Sequence, residues 1–250
     1  LRGDGQVVCW GAAALLTLSP VYAIYAGHYH SCGLRDDGQV VCWGDNSEDQ
    51  SSPPGGSFAA VTAGAEHTCG LRGDGQAFCW GNSEMGPSPP GGSFAAVTAG
   101  FWHSCGLRGD GQAVCWGVNN YQQSSPPGGS FTAVTVGHYH TCGLRGDGQV
   151  VCWGDNSEDQ SSPPGGSFAA VTAGAEHTCG LRGDGQAFCW GNSEMGPSPP
   201  GGSFAAVTAG FWHSCGLRGD GQAVCWGSNS EEQSSPPGGS FVAVTASWYH

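Results

Sequence analysis

Short apolar stretches alternate with small, polar, glycine and proline residues along the whole chain. A typical stretch reads SFAAVTAG, then HTCGLR, then DGQAFCWG, and continues into a polar segment that ends in SSPPGG or PSPPGG. Short alternating runs with glycine and proline between them are typical of β-strands, and no stretch carries the helical apolar stripe with a period of about 3.6 residues. The pattern therefore predicts three or four short strands per unit and an all-β fold.

The pattern repeats with a regular period, and residues 64–99 return unchanged as residues 174–209. Each unit begins at a glycine and is 36 or 37 residues long. The complete units are 27–63, 64–99, 100–136, 137–173, 174–209 and 210–246. The remaining segments, 1–26 and 247–250, match complementary parts of one further unit.

Units of this size cannot bury their faces alone, but they can do so when they are stacked radially. We therefore predict one domain, residues 1–250, that forms a seven-bladed β-propeller of about 37-residue repeats. Its split blade combines segment 1–26 with segment 247–250. An open β-solenoid is the alternative, although it would not need the two part-units to complement each other.

The cysteines fall in six pairs with a separation of ten residues, plus one left over. If the hairpin turns through residues 73–75, Arg72 faces Gln76 and Cys69 faces Cys79 in a non-hydrogen-bonded pair, which is close enough for a disulfide. Zinc is the competing interpretation, but the short Cys-x-x-Cys motif that metal sites favour is missing. We predict six disulfides and an oxidising, extracellular compartment; the pairs are Cys32–Cys42, Cys69–Cys79, Cys105–Cys115, Cys142–Cys152, Cys179–Cys189 and Cys215–Cys225.

The phrases HTCGLRGDGQAFCWG and HYHTCGLRGDGQVVCWG resemble the regulator-of-chromosome-condensation repeat in its cysteine-containing, secreted form. The resemblance covers all seven units at the His-x-x-x-Leu, Asp-Gly and Trp-Gly positions, and it implies a seven-bladed propeller. It does not imply nucleotide exchange or chromatin binding, which belong to basic members with longer units. In unit length the chain is also similar to the propeller-type β-lactamase inhibitor protein, so enzyme inhibition is among the possible functions.

The chain has seven arginines, no lysine and twenty acidic residues, which gives a net charge of −13. Such a chain repels phosphate backbones and anionic lipid, so we expect no nucleic-acid partner. Its most apolar stretch, residues 12–26, is interrupted by polar residues and proline, so we expect no membrane insertion. Because the sequence starts inside a unit, we expect any secretion signal to lie upstream. No phosphate loop or nucleophile signature is present, and we expect neither catalysis nor a cofactor.

Several recurring residues have an ordinary structural interpretation. The six Arg-Gly-Asp triplets supply the Asp-Gly that a tight turn requires, although they resemble an integrin ligand. Tryptophans such as Trp43 and Trp80 are expected in the core. The acidic loops are expected to form a solvated rim, with weak calcium binding as the alternative; they contain Asp45, Glu48, Asp49, Asp155, Glu158, Asp159, Glu231 and Glu232.

A histidine precedes the first cysteine of each pair by two residues, and we expect it to hydrogen-bond a neighbouring strand, with metal binding around the axis as the alternative. These histidines are His30, His67, His103, His140, His177, His213 and His250.

The two residues before each of these histidines vary although their surroundings do not. They are rich in aromatic residues and lie at the entrance to a strand, so all of them should open on one face of the ring. Variation on a constant scaffold indicates a recognition surface, and packing between blades is an equally good explanation. The predicted binding face contains Tyr29, Phe101, Trp102, Tyr139, Phe211, Trp212, Trp248 and Tyr249.

Two further features concern modification and assembly. The Ser/Pro loops resemble motifs of plant and algal wall glycoproteins, and they are candidates for O-glycans or hydroxyproline-linked sugars, with a simple turn as the alternative; the candidates are Ser51, Ser52, Pro53, Pro54, Ser161, Ser162, Pro163 and Pro164. The odd cysteine and an apolar segment beside it predict an assembly seam, unless the segment packs within the closing blade; the seam residues are Cys9, Leu15, Leu16, Val21 and Tyr22.

Only 8 of 110 positions differ between residues 27–136 and 137–246. This near-identity favours a non-enzymatic structural or assembly protein of an extracellular matrix, sheath or filament. The partner would then be a second copy, joined head to tail or in tandem. The alternative is a soluble protein-binding or carbohydrate-binding module, or an enzyme inhibitor, that uses an aromatic face of the propeller.

Overall fold

The structure is a computed structural model that describes residues 1–10, 21–84, 88–194 and 198–248. The described part is built from eighteen β-strands, and none of its residues belongs to a helix that could cross a membrane. The strands are β1 Ala23–Ala26, β2 His30–Leu34, β3 Val40–Gly44, β4 Ala60–Ala63, β5 His67–Leu71, β6 Ala77–Gly81, β7 Ala96–Ala99, β8 His103–Leu107, β9 Ala113–Gly117, β10 Ala133–Val136, β11 His140–Leu144, β12 Val150–Gly154, β13 Ala170–Ala173, β14 His177–Leu181, β15 Ala187–Gly191, β16 Ala206–Ala209, β17 His213–Leu217 and β18 Ala223–Gly227.

Six antiparallel sheets contain three consecutive strands each, which we call the inner, middle and outer strand in chain order. The register is the same in all of them. In the second sheet, Thr62 of the inner strand is paired with Cys69 of the middle strand, and Cys69 is paired with Cys79 of the outer strand. The all-β fold of repeated units is therefore as the sequence predicts, with three strands per unit.

A tight turn joins each middle strand to its outer strand. In the second sheet the backbone nitrogen of Arg72 donates to the carbonyl of Gln76 (2.9 Å), and that of Gly75 donates to the carbonyl of Arg72 (2.9 Å). Gly75 has a φ of 84°, a conformation that suits glycine. Asp74 accepts a hydrogen bond from the backbone nitrogen of Gln76 through Oδ1 (2.9 Å). This turn sets the register that places the two cysteines opposite each other.

Disulfides join the middle and outer strands of all six sheets, and they are the six pairs that the sequence predicts. The paired Cα atoms are 4.0–4.1 Å apart. The cysteine on the middle strand is fully buried in each case, as Cys69 illustrates at 0% exposure. Each bridge therefore links a buried strand to the half-buried outer strand of the same unit.

Successive sheets meet through their inner strands. The backbone nitrogen of Ala99 in one unit donates to Thr62 Oγ1 of the preceding unit (3.1 Å). The glycine that follows each inner strand permits this close approach, because a Cβ on Gly64 would lie 2.5 Å from the carbonyl oxygen of Gly100. The sheets consequently follow one another around a common axis.

Aromatic residues fill the space between neighbouring sheets. Phe58 packs on Trp80 of the next unit, with ring centroids 5.8 Å apart, and only 3% of its surface is exposed. Gly70 leaves room for this ring, since a Cβ there would lie 2.5 Å from a carbon of Phe58. The same contact recurs in four more pairs, Phe94–Trp116, Phe131–Trp153, Phe168–Trp190 and Phe204–Trp226. The tryptophans belong to the core between blades, as expected.

The two ends of the chain lie together. The backbone nitrogen of Leu1 donates to the Ala243 carbonyl (2.9 Å), and that of Val242 donates to the Leu1 carbonyl (2.8 Å). The hydroxyl of Ser247 bonds the Gly27 carbonyl, which connects the C-terminal segment to the first complete unit. Among the described residues these segments form no sheet of their own, so the structure contains six sheets, and the seventh blade stays a prediction.

The buried disulfides generate a prediction about stability. Replacing Cys69 and Cys79 together by alanine should lower the free energy of unfolding by about 2 to 3 kcal/mol, because the bridge no longer limits a ten-residue loop in the unfolded chain. Urea unfolding followed by tryptophan fluorescence measures the change. Cys9→Ala, which removes a thiol that has no disulfide partner among the described residues, is the matched control and should have little effect. A non-reducing digest that links cysteines of different units would contradict the pairing.

Candidate functional site

The ring has two faces that differ in sequence and chemistry. Middle strands begin with histidine at one face and end with leucine at the other. We call the first the loop face, because the loops after the outer strands start there: the backbone nitrogen of Asp45 donates to the Tyr29 carbonyl (2.9 Å), and that of Asp155 donates to the Tyr139 carbonyl (2.8 Å). We call the second the hairpin face, because it carries the Arg72-type turns.

Five aromatic rings meet on the axis at the loop face, and each is the first of the two variable residues before one of the recurring histidines. Phe211 stacks on Trp248 (4.4 Å between ring centroids) and contacts His138 (5.3 Å) and His28 (5.9 Å). Phe101 lies 4.1 Å from His138 and 4.5 Å from His28. We name this set the axial cluster. It fills the centre of the ring at this face.

Behind the axial cluster lies an axial channel with a cavity volume of about 480 Å³. Its walls are the inner strands and the glycines after them, so the lining is uncharged and consists mainly of alanine, threonine, valine and glycine. Tyr25 stands where the other inner strands have threonine or a similar small residue, and burial raises its pKa. No group of three or more potential metal ligands converges within the described ranges.

The second residue of each variable pair lies farther from the axis, and we name the aromatic members of this set the outer aromatic residues: Tyr29, Trp102, Tyr139 and Trp212. Tyr29 is 47% exposed, and the other three are partly exposed. Tyr139 also contacts Tyr121 of a neighbouring loop, with ring centroids 4.9 Å apart, and Tyr121 is itself 49% exposed. Each outer aromatic residue is held by its backbone carbonyl, which accepts a hydrogen bond from the first residue of a loop.

The predicted binding face therefore divides into two parts. Phe101, Phe211 and Trp248 pack on one another and on two histidines in the axial cluster. The four outer aromatic residues surround that cluster and face solvent in part. Tyr249 lies outside the described residues. Packing thus describes the first member of each pair, while a recognition role for the second member stays a prediction. Tyr121 lies beside Tyr139 on this face, although its loop position gave no signal in the repeat pattern.

The recurring histidines hydrogen-bond the next unit. His30 Nε2 lies 2.6 Å from Thr68 Oγ1, and the Thr68 hydroxyl donates to the Gln50 carbonyl (2.9 Å), so His30 is the donor to Thr68. The Gln50 carbonyl also accepts a hydrogen bond from Trp80 Nε1 (3.0 Å). The equivalent histidine bonds are His67–Ser104, His103–Thr141, His140–Thr178 and His177–Ser214, at 2.7–2.8 Å. His250 lies outside the described residues.

Burial keeps these imidazoles neutral. Desolvation lowers the pKa of His67, His103 and His177 to about 3, and that of His30 and His140 to about 4. Desolvation likewise lowers the pKa of a sixth histidine in the axial cluster to about 4. None of the six carries a charge near neutral pH, so they contribute packing and hydrogen bonds to the site but no positive charge.

The acidic loops are internally hydrogen-bonded and open to solvent. Asp45 accepts a hydrogen bond from Gln50 Nε2 (2.9 Å), and Gln50 Oε1 accepts one from the backbone nitrogen of Glu48 (2.9 Å). Gln50 is fully buried, while Glu48 and Asp49 are exposed. The carboxylates therefore form an exposed rim on the loops that follow the outer strands.

The Arg-Gly-Asp triplets form the turns of the hairpin face. The guanidinium of Arg72 donates to the Gly55 carbonyl (3.1 Å) and lies 4.1 Å from the centre of the Phe78 ring. Asp74 caps the backbone nitrogen two residues on. Both charged side chains of the triplet therefore have structural partners.

The candidate modification residues in the Ser/Pro loops differ in solvent exposure. Ser51 is half-buried, and its hydroxyl donates to the Asp45 carbonyl (2.8 Å), whereas Ser52 and Pro54 are exposed. The copy at residues 161–164 has the same arrangement. Modification at these positions stays a prediction. Solvent exposure favours the second serine of each loop over the first, although its hydroxyl is hydrogen-bonded to the side chain of Asn46 or Asn156.

The predicted assembly seam is only partly within the described residues, because Leu15 and Leu16 lie outside them. Cys9 is half-buried and has no disulfide partner in the described part of the chain, and burial raises the pKa of its thiol. Val21 packs inside its own chain at 4% exposure, while Tyr22 is 50% exposed. A small cavity of about 30 Å³ lies beside Cys9 and is lined in part by Ser31 and Trp10.

These features define a class of protein, a disulfide-bonded β-propeller of tandem three-stranded units with an aromatic and acidic loop face. The model of the regulator of chromosome condensation (RCC1) repeat matches six stretches of the chain, residues 21–50, 58–86, 94–123, 131–160, 168–196 and 204–233. The chain belongs to this repeat family, as its sequence resemblance implies. A search of curated protein sequences gave no match.

Solved structures of similar architecture include two plant receptor ectodomains. The CRINKLY WD40 ectodomain of the Arabidopsis thaliana receptor kinase ACR4 is 30% identical, with a TM-score of 0.77 over 90% of this chain and 89% of that one. The ectodomain of the Physcomitrella patens receptor kinase CR4 is 31% identical, with a TM-score of 0.79 over 90% and 68%. Prp20p of Saccharomyces cerevisiae, at 18% identity and a TM-score of 0.74 over 87% and 74%, shares the fold.

The neutral buried histidines predict a steep acid transition. Unfolded histidines bind protons below about pH 6.5, but the folded ones stay neutral to about pH 4 or 3, so stability is full above pH 6.5 and falls as the pH drops. Each histidine should contribute about 1.4 kcal/mol per pH unit. His177→Gln, which keeps a donor for Ser214, should reduce the slope by one proton between pH 6 and 4, whereas Tyr29→Phe should leave it unchanged. Urea unfolding at stepped pH measures both, and an unchanged slope in His177→Gln would refute the assignment.

Proposed function

We propose that this protein is an extracellular, non-catalytic binding module that recognises another protein through its loop face. The observation that carries the proposal is the set of outer aromatic residues, which are partly exposed and occupy the positions that vary between otherwise near-identical units. Partly exposed tyrosine and tryptophan on a rigid scaffold are typical binding anchors, because they bury a large area at little entropic cost.

Several observations support the extracellular setting. Six buried disulfides are stable in an oxidising compartment and rare in the cytosol. Two similar structures above 25% identity are receptor ectodomains. Within the described residues, the face offers no arrangement of nucleophile, base and oxyanion donor, and five of its histidines are committed to hydrogen bonds between units, which favours binding over catalysis.

We further propose that the ring has seven blades and that both chain ends contribute to the last one. Leu1 makes the backbone contact with Val242 that Leu71 makes with Ala59. Trp10 Nε1 donates to the Gln233 carbonyl (3.0 Å), as Trp80 Nε1 does to the Gln50 carbonyl. The terminal segments therefore make contacts equivalent to those of a regular unit.

Self-assembly is the second candidate function, and the unpaired Cys9 favours it. Each of the six outer strands has its cysteine bonded to a partner ten residues earlier, whereas Cys9, at the equivalent position of the N-terminal segment, has no such partner in the described part of the chain. Tyr22, which follows Val21 of the cluster that contains Cys9, is half-exposed. A cysteine from another subunit or from a neighbouring propeller could complete the bridge and join rings into a filament, sheath or matrix. Exposed Ser52 and Ser162 would then carry any O-glycans on the rim.

The binding proposal predicts that the loop face, and not the hairpin face, is required for partner capture. Trp102→Ala with Trp212→Ala should weaken binding at least tenfold, because truncation of aromatic anchors typically costs about 2 kcal/mol or more. The control is Tyr22→Ala with Val242→Ala, which removes two exposed apolar side chains away from the loop face.

The measurement has two stages. Proximity cross-linking to wild-type protein first captures a partner from the extracellular fraction of the source, and biolayer interferometry then compares the variants with it. Loss of binding in the control pair alone would place the interface elsewhere and contradict the proposal.

The assembly candidate predicts that Cys9 forms a bridge between molecules. Purified protein incubated with oxidised glutathione should yield a disulfide dimer on non-reducing gels, and Cys9→Ser should remain monomeric. Negative-stain electron microscopy of native material should contain arrays or filaments. Single rings together with a thiol at position 9 that never forms a dimer would exclude this second function.

A further inference from the structure

The side-chain charges divide very unequally between the two faces. The hairpin face carries all seven arginines and eight aspartates, a net charge of −1. The loop face carries the other twelve carboxylates and no arginine or lysine, a net charge of −12. These twelve are Asp45, Glu48, Asp49, Glu66, Glu84, Asp155, Glu158, Asp159, Glu176, Glu194, Glu231 and Glu232.

Strand direction produces this division. The arginines and the eight aspartates all lie in turns between a middle and an outer strand, at the leucine end of strands such as β5. The twelve other carboxylates lie before a middle strand or after an outer strand, at the histidine end. A five-residue strand separates the two ends by roughly 13 Å, which exceeds the screening length of about 8 Å at physiological ionic strength. The two faces therefore act as separate electrostatic surfaces.

Within the described residues, the loop face has no arginine or lysine to offset its carboxylates. The arginines are held on the hairpin face, where Arg72, Arg108 and Arg182 each donate to a glycine carbonyl. Burial keeps six of the histidines near the loop face neutral. The twelve carboxylates of this face therefore have no guanidinium or ammonium group beside them in the described part of the chain.

The outer aromatic residues lie within this field. The backbone carbonyls of Tyr29 and Tyr139 accept hydrogen bonds from the backbone nitrogens of Asp45 and Asp155, so each of these two rings has an acidic loop beside it. A guanidinium or ammonium group placed over an aromatic ring gains a cation–π interaction, and nearby carboxylates strengthen the attraction. Exposed rings and uncompensated carboxylates are two independent features that both fit a cationic ligand.

We propose that the loop face binds an arginine- and lysine-rich segment of a protein partner, with cationic side chains stacked on the outer aromatic residues and paired with the rim carboxylates. This inference rests on the proposed function, which assigns a protein partner to the same face, and it adds the chemistry of that partner. Association is electrostatically steered, so its rate and affinity fall as salt is raised. A neutral glycan would gain nothing from the negative charge of the loop face. Binding that does not depend on salt would therefore indicate a neutral glycan as the ligand.

The first test uses defined peptides as probes. An eight-residue arginine peptide and an eight-residue lysine peptide, each labelled with a fluorophore, are titrated with the folded protein, and an eight-residue glutamine peptide is the uncharged control. The two cationic peptides should bind saturably at low salt and lose at least about tenfold in affinity between roughly 20 and 300 mM salt. Equal binding of the glutamine peptide, or no binding of either cationic peptide at low salt, overturns the proposal.

The second test determines whether cationic peptides bind because of the loop-face carboxylates or because of the net charge of the whole protein. One variant combines Glu48→Gln, Glu158→Gln, Glu231→Gln and Glu232→Gln, all at exposed loop-face positions. Its matched control combines Asp36→Asn, Asp110→Asn, Asp147→Asn and Asp220→Asn on the hairpin face, with the same change in net charge. The first should weaken cationic-peptide binding at least about tenfold and the second less than about twofold. Equal losses in both would mean that only overall charge matters, which overturns the proposal.

A third variant tests whether the rings of the outer aromatic residues contribute to peptide binding. Trp102→Leu with Trp212→Leu keeps every carboxylate, and it should weaken the arginine peptide about threefold or more, because the cation–π contact is lost. If the affinity for the arginine peptide does not change, the aromatic residues are not part of the binding site.

The same variants distinguish this inference from the proposed function. If a partner captured by the wild-type protein loses binding with the tryptophan variants but not with raised salt or with the glutamate variant, the loop face binds protein and only the cationic inference fails. If cationic peptides bind the loop face but no protein partner requires it, the proposed function fails and the charge-based site stands.

Discussion

One buried contact between neighbouring units underlies the whole ring, the hydrogen bond from an imidazole to the hydroxyl at the start of the next middle strand. His30 and Thr68 illustrate it, together with the Gln50 carbonyl that accepts from Thr68. A buried polar group without a partner is costly, so the imidazole of one unit requires the next unit to be in place. No unit is complete by itself, and order must extend from one blade to the next.

This constraint also explains where the sequence is free to vary. The histidine, the hydroxyl residue and the glycine after each inner strand take part in contacts between blades, and they recur in every complete unit. The two residues before the histidine project beyond those contacts toward the axis and the loop face. Their substitution changes the surface of the ring while the contact that builds the ring stays intact, so a variable surface and a constant architecture coexist in units that are nearly identical.

Much of the fold could be predicted from local patterns. The Gly-Asp-Gly turn fixes hairpin register, and register places Cys69 opposite Cys79, so the disulfides follow from short-range geometry. The two roles of the variable pair could not be predicted in the same way. Phe101 and Trp102 are adjacent and both aromatic, and which of them faces the axis depends on the curvature of the ring, a property of many units together. The unequal charge of the two faces likewise emerges only once strand direction is known.

The disulfides have a mechanical consequence as well as a thermodynamic one. Each closes a loop inside a single unit, so the chain between Cys69 and Cys79, a sequence separation of 10, cannot be extended when the protein is pulled from its ends. A fully extended residue spans about 3.5 Å, so each bridge withholds roughly 30 Å of length. Under tension, a ring anchored at both termini would therefore open into a chain of hairpins that are still closed by their disulfides. Its extension would stop well short of the contour length of the chain. The hairpin turns would be retained, so each blade could refold from them when the tension is released.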